Sequence, residues 1–128
     1  DLVMEEGGFL YDSDSYSDDL PYWEVRGKKK QLIIPYTLDN NDMRFATNQG
    51  FNSGEQFYTY LKDSFDALYN EDNPPKMMSV GLHCRIIGRP GRIQSLKKFL
   101  DYVLKHRDVW ICKRIDIAKH WIKNYSIK

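Results

Sequence analysis

Met77-Met78-Ser79-Val80-Gly81-Leu82-His83-Cys84-Arg85, followed by Gly88-Arg89-Pro90-Gly91-Arg92, decides how the chain reads. Residues 77–84 are apolar enough for a strand covered on both faces, as strands of parallel sheets are. Pro90 suits the first turn of a helix, where its missing N–H costs nothing. The helix it opens carries Ile93, Leu96, Phe99, Leu100, Val103 and Leu104 on one stripe. A strand leading straight into a helix is the building unit of α/β sheets and barrels.

Working outward, the same order recurs. Upstream, Pro74-Pro75 breaks the chain. Before it, Ser53 is a good N-cap, and Gln56 three residues on completes a capping box. Phe57, Tyr60, Leu61, Phe65, Leu68 and Tyr69 then give an amphipathic helix to about Glu71. A polar loop from Thr37 to Asn52 follows a strand, Gln31-Leu32-Ile33-Ile34-Pro35-Tyr36. Phe9-Leu10-Tyr11 reads as a further short strand, preceded by a helix end that Gly7-Gly8 closes. Downstream, Val109-Trp110-Ile111-Cys112 reads as a strand, and Ile115, Ala118, Trp121 and Ile122 mark a last helix. The expected architecture is α/β, with about four parallel strands and three long helices in a single domain over residues 1–128.

Composition narrows the function. A chain of 128 residues with 41% hydrophobic and 29% charged residues is neither a disordered tail nor a membrane protein. Its longest apolar runs are three or four residues, too short to span a bilayer. A net charge of +1 rules out a polycation that holds nucleic acid by bulk attraction. The even total hides a gradient. Residues 1–24 hold eight acids and no Lys or Arg, and residues 85–128 hold twelve bases against three acids. Either the two ends face each other or other subunits, or an acidic or nucleic-acid partner meets the basic one. Two cysteines, Cys84 and Cys112, are too few for a disulfide framework. No signal-peptide pattern opens the chain at Asp1, which reads as a cytoplasmic protein or a piece of a longer one.

Parallel α/β folds place chemistry at the carboxyl ends of their strands. The polar residues fall there. Asp12 and Asp14 follow the first strand, and Tyr36, Asp39, Asn40, Asp42 and Arg44 the second. His83 and Arg85 end the third, with Arg89 and Arg92 beyond, and Arg114 and Asp116 follow the fourth. Each has a structural alternative. A histidine ending an apolar strand serves as often in a core as in a reaction, although imidazole moves protons well near neutrality. The run from Asp12 to Asp19 fails as a calcium loop, since Ser17 and Trp23 stand where glycine and glutamate are needed. It reads otherwise as a turn whose acids cap backbone N–H groups. The arginines around Pro90 could bind an anion or pair with acids. No metal-binding His spacing, Cys-x-x-Cys, nucleophile elbow or phosphate-binding glycine loop occurs.

These stretches resemble the polysaccharide deacetylase superfamily, in the branch that includes the purine-catabolism allantoinase and peptidoglycan deacetylase-like enzymes. The resemblance rests on residues 7–14, 18–23, 35–45, 75–85, 88–92 and 109–121, in that order. It implies a distorted (β/α) barrel that hydrolyses a C–N bond in an amide, a cyclic ureide or an N-acetyl sugar. Asp12 and Asp14 match a motif that orients catalytic groups, and Trp23 one that walls the pocket. His83 matches the general acid, although Leu82-His83 lacks the residue that usually separates this pair. Tyr36, Arg85, Arg89 and Arg92 are then substrate-holding residues. The family's metal site, an Asp with a His-x-x-x-His pair, and its usual catalytic base lie in the first half of the barrel. A divalent metal such as zinc would therefore be bound by residues outside this chain. The chain reads as the C-terminal half, with the missing half or a second copy as its partner. The alternative is a non-catalytic remnant or assembly module of the same fold.

Overall fold

The computed structural model describes residues 1–72 and 75–127. Two compact units are present. One combines residues 1–36 with those from Trp110 on, and the other is the continuous stretch Thr37–Val109.

The first unit holds helix α1 (Leu2–Glu6), strands β1 (Tyr22–Arg26) and β2 (Lys29–Ile33), and helix α5 (Arg114–Asn124). Strands β1 and β2 form an antiparallel hairpin, with Tyr22 opposite Ile33 and Arg26 opposite Lys29. Gly27 opens the two-residue turn at φ +60°, a conformation that glycine adopts without steric cost and that matches the twist of paired strands. Burial rises along β2 and continues past it, from Gln31 to Pro35. Helix α1 ends at Gly7, whose φ of +73° and N–H bond to the Val3 carbonyl close it as its glycine pair suggested.

The second unit is built around helices α2 (Gly54–Asn70) and α4 (Pro90–Val103), with a 3-10 turn at Asp42–Ala46 and a single-turn helix α3 (Cys84–Ile87). Ser53 caps α2 by accepting from the Gln56 N–H, while the Gln56 side chain accepts from Asn52 rather than from Ser53 itself. Pro90 stands in the first turn of α4. Phe51, Phe57, Leu61, Phe65, Ile87, Phe99 and Val103 form the core. Its rings meet edge to face, as Phe51 and Phe57 do at 5.4 Å, an arrangement that their quadrupoles favour. The stripe expected on α4 is buried at Phe99 and Val103, whereas Leu100 and Leu104 face outward.

The protein is mixed α/β, but the expectation of about four parallel strands is corrected. Two strands are present among the described residues, and they are antiparallel. The segments 9–11, 77–84 and 109–112 form no ladder. Parallel pairing survives as two isolated bridges, Asp12 with Ile33 and Asn41 with Gly81. Each bridge has one pair of backbone hydrogen bonds, of 2.8 Å for Asp12 and of 2.8 and 3.0 Å around Gly81. The chain leaves the pairing at once in both places, into the turn at residues 12–14 in one and the 3-10 turn at Asp42 in the other. Cys84 starts α3 instead of ending a strand. Of the expected break at Pro74-Pro75, Pro74 lies outside the described residues. Among them no helix is long and apolar enough to cross a membrane.

Candidate functional site

Asn41 is extended (φ −137°, ψ 130°), and its side chain caps the 3-10 turn by accepting from the Met43 N–H. The bridge to Gly81 brings residues 82 and 83 alongside Asp42. The Asp42 carboxylate is fully buried. Oδ2 accepts the backbone N–H of His83 at 2.8 Å and that of Ile87 at 3.0 Å. Oδ1 lies 2.7 Å from Nδ1 of the His83 ring. One acid therefore accepts N–H groups from both ends of α3, sharing that of Ile87 with the His83 carbonyl, and fixes an imidazole as well. An ionised carboxylate only accepts, so the ring proton sits on Nδ1 and Nε2 is left as the reactive nitrogen. The His83 side chain is 40% exposed, and Nε2 has no hydrogen-bond partner among the described residues.

The loop that presents Asp42 is stiffened from below. The Arg44 guanidinium lies against both Phe51 and Tyr60, 4.6 and 4.4 Å from their ring centroids. It pairs with Asp39, which also accepts the Tyr60 hydroxyl at 2.6 Å. Phe51 donates its backbone N–H to the Arg44 carbonyl, and Gly50 runs so close that a Cβ would stand 1.6 Å from that same oxygen.

The arginines foreseen near His83 lie in the same unit. Arg92 stacks on Phe45 at 4.6 Å and donates to the Ile86 carbonyl. Arg85, on α3, and Arg89, the residue before α4, are exposed and form no ion pair among the described residues.

Asp12, Asp14, Trp23 and Tyr36 belong to the first unit. Asp12 Oδ1 accepts the Asp14 N–H at 2.9 Å, closing a local turn. Tyr36 continues the buried end of β2, and its N–H bonds the Ser15 carbonyl at 2.7 Å. Trp23 sits in β1 with its indole N–H donated to the Tyr125 carbonyl at 2.8 Å. The resemblance points to Asp12 and Asp14 as the residues that orient catalytic groups; the partner of His83 Nδ1 is Asp42. Asp42 stood out only as one polar residue of the 37–52 loop. The signal available was the Asn-Asn-Asp run, which supplies a capping amide directly before an acid. Among the described residues no three His, Cys, Asp or Glu side chains gather as a metal site.

No protein-family model matches the chain. A "Putative polysaccharide deacetylase" of Schizosaccharomyces pombe is 43% identical over 129 residues, covering 92% of this chain and 40% of the yeast protein. The crystal structure of a "probable Polysaccharide deacetylase" from Pseudomonas aeruginosa PAO1 superposes with a TM-score of 0.94 at 58% identity, covering 99% of this chain and 43% of that one. The crystal structure of Puue allantoinase gives 0.93 at 57% identity over the same shares. The chain thus spans about two fifths of the length of the relatives it matches. It belongs to the polysaccharide deacetylase superfamily, in the branch that includes the allantoinases.

Proposed function

We propose that the chain is the C-terminal part of a distorted (β/α) barrel that hydrolyses non-peptide carbon–nitrogen bonds, of the amide, cyclic ureide or N-acetyl sugar class. The His83–Asp42 pair carries this reading. It supplies an imidazole with one nitrogen fixed and the other open, as a proton donor to a leaving nitrogen requires. His83 acts as the imidazolium: Nε2 gives its proton to the departing nitrogen, and Asp42 accepts from Nδ1 throughout, holding the ring and offsetting its charge. Arg85, Arg89 and Arg92 engage the substrate's oxygens. Trp23 and Tyr36 serve as aromatic contacts, and Asp12 and Asp14 as the carboxylates that the reaction uses in the first unit. A divalent metal, where the whole protein uses one, would be held by residues outside this chain.

The partner is the remaining length of such a protein or a second copy of this chain. Exposed apolar side chains support a covering partner, notably Phe9 (56%) and Trp110 (59%). The test is His83→Ala in the full-length protein that carries this chain. Turnover should fall by about 10²–10⁴, the range for a lost general acid. Wild-type turnover on every amide and ureide hydrolysed by the parent would overturn the assignment.

A further inference from the structure

Arg114 is not explained by the His83 site. It is the first residue of α5, and its side-chain hydrogen bonds leave from one nitrogen. The two N–H bonds of Nη1 serve three acceptors, the Ile34 carbonyl at 2.8 Å, the Pro35 carbonyl at 3.0 Å and Ser13 Oγ at 3.1 Å, so one hydrogen is shared. Among the described residues no carboxylate lies within 4.0 Å of its guanidinium nitrogens. The charge therefore forms no ion pair.

The three acceptors share a place in the fold. Asp12 is tied to the β2 edge by its N–H on the Leu32 carbonyl and by the Ile34 N–H on its own carbonyl, both 2.8 Å. The next tie is the Tyr36 N–H on the Ser15 carbonyl, 2.7 Å. Ser13 and Asp14 lie between these two ties and carry no backbone pairing of their own to the β2 edge. Opposite them stand the carbonyls of Ile34 and Pro35, both buried, and Pro35 has no N–H with which to continue a ladder. Buried carbonyls require donors. Arg114 supplies them, and with the same nitrogen it holds the side chain of the residue between the two acids. A guanidinium suits this because its donors are rigid and always protonated.

We infer that Arg114 is a positioning residue that sets the turn carrying Asp12 and Asp14 through Ser13. The inference rests on the hydrolase reading, in which that turn takes part. Ser13→Ala cuts the tie while leaving both carbonyl bonds in place, and Ser13→Thr keeps the hydroxyl. Two measurements test it. Amide hydrogen exchange on the 128-residue chain should show Asp14 and Ser15 exchanging about tenfold faster in Ser13→Ala and in Arg114→Lys, with the Ser13→Thr protein like wild type and β1–β2 amides unchanged. In the full-length protein, with allantoin and an N-acetylglucosamine oligomer as substrates, Ser13→Ala should lower kcat about tenfold to a hundredfold at constant KM and Tm, since small misplacements of reacting groups cost that much. Ser13→Thr should restore it. Unchanged exchange in the turn overturns the inference. So does a wild-type kcat in Ser13→Ala when Asp12→Asn and Asp14→Asn, measured alongside, lose activity. If those two acid variants also keep full activity, the assignment of the turn to the reaction falls, and this inference with it.

Discussion

Asp42 and Asp12 stand at equivalent places, each at an isolated parallel bridge where the chain turns away from its partner, yet their surroundings differ. Asp42 is fully buried and collects three donors from a segment some forty residues downstream. Asp12 is half-buried and accepts from its neighbour two residues on. An acid at a strand end is thus not one kind of site. What separates the two is whether the segment across the bridge presents backbone N–H groups: the start of α3 does so at Asp42, while the buried end of β2 presents carbonyls beside Asp12, which attract Arg114 instead.

Four measurements break or sharpen this contrast. The largest effect is expected from Phe51→Ala, which removes the ring under the loop presenting Asp42. It should cost about 3–5 kcal/mol in chemical denaturation, the range for deleting a buried phenylalanine. Next, Asp42→Ala strands the N–H of His83, while the Ile87 N–H keeps its bond to the His83 carbonyl. About 1–3 kcal/mol should be lost, the cost of a donor left unpaired, and the imidazole should lose its fixed partner, visible in its ¹⁵N shifts. The same truncation at Asp12 removes one local bond, so Asp12→Ala should cost about 0.5–1 kcal/mol. Equal losses at both acids would erase the distinction.

The smallest effect concerns a third acid, Asp66 on α2, whose side chain is part-buried. Burial pushes its carboxyl up, but hydrogen bonds from Lys62 and Tyr102 and the Lys62 charge outweigh that, and its pKa falls below the ordinary value. Its contribution is present above the ordinary carboxylate range and is lost as pH drops through the depressed value. The bond to Asp66 raises the pKa of both Lys62 and Tyr102. Their contributions are complete below their ordinary values and are lost as pH rises through the raised ones. Asp66→Asn should therefore lower Tm slightly at neutrality, the loss being small because the network is partly solvated, and should converge on wild type at both pH extremes, so that both limbs flatten.

Much of this molecule could be read from its residues. Ser53 and Pro90 mark the starts of α2 and α4, because caps and first-turn prolines act locally. His83 was legible as a candidate because an imidazole closing an apolar run moves protons near neutrality, although the same position serves as often in a core. The ladders were not legible. Runs such as residues 77–84 satisfy the hydropathy of a covered strand, but pairing depends on what lies beside them, and here the chain departs after one bridge. The β1–β2 hairpin was missed because Tyr22–Arg26 is half polar, although Gly27 gave the signal for a tight turn. The Asp42 partnership was hidden for the same reason. It exists only because Asn41 lands opposite Gly81, a register that no local pattern encodes.

The first unit has a consequence for synthesis. Its cross-links reach over about a hundred positions: Trp23 to Tyr125, Lys30 to Ile127 and Arg114 to Ser13. On the ribosome, residues 1–36 emerge before their mates have been translated, a delay of roughly 5–20 s at ordinary elongation rates. The stretch Thr37–Val109, being continuous, can condense meanwhile around its phenylalanines. Within this unit the donor that Arg114 offers the buried Ile34 carbonyl arrives only when α5 has been made, after the central stretch has been translated.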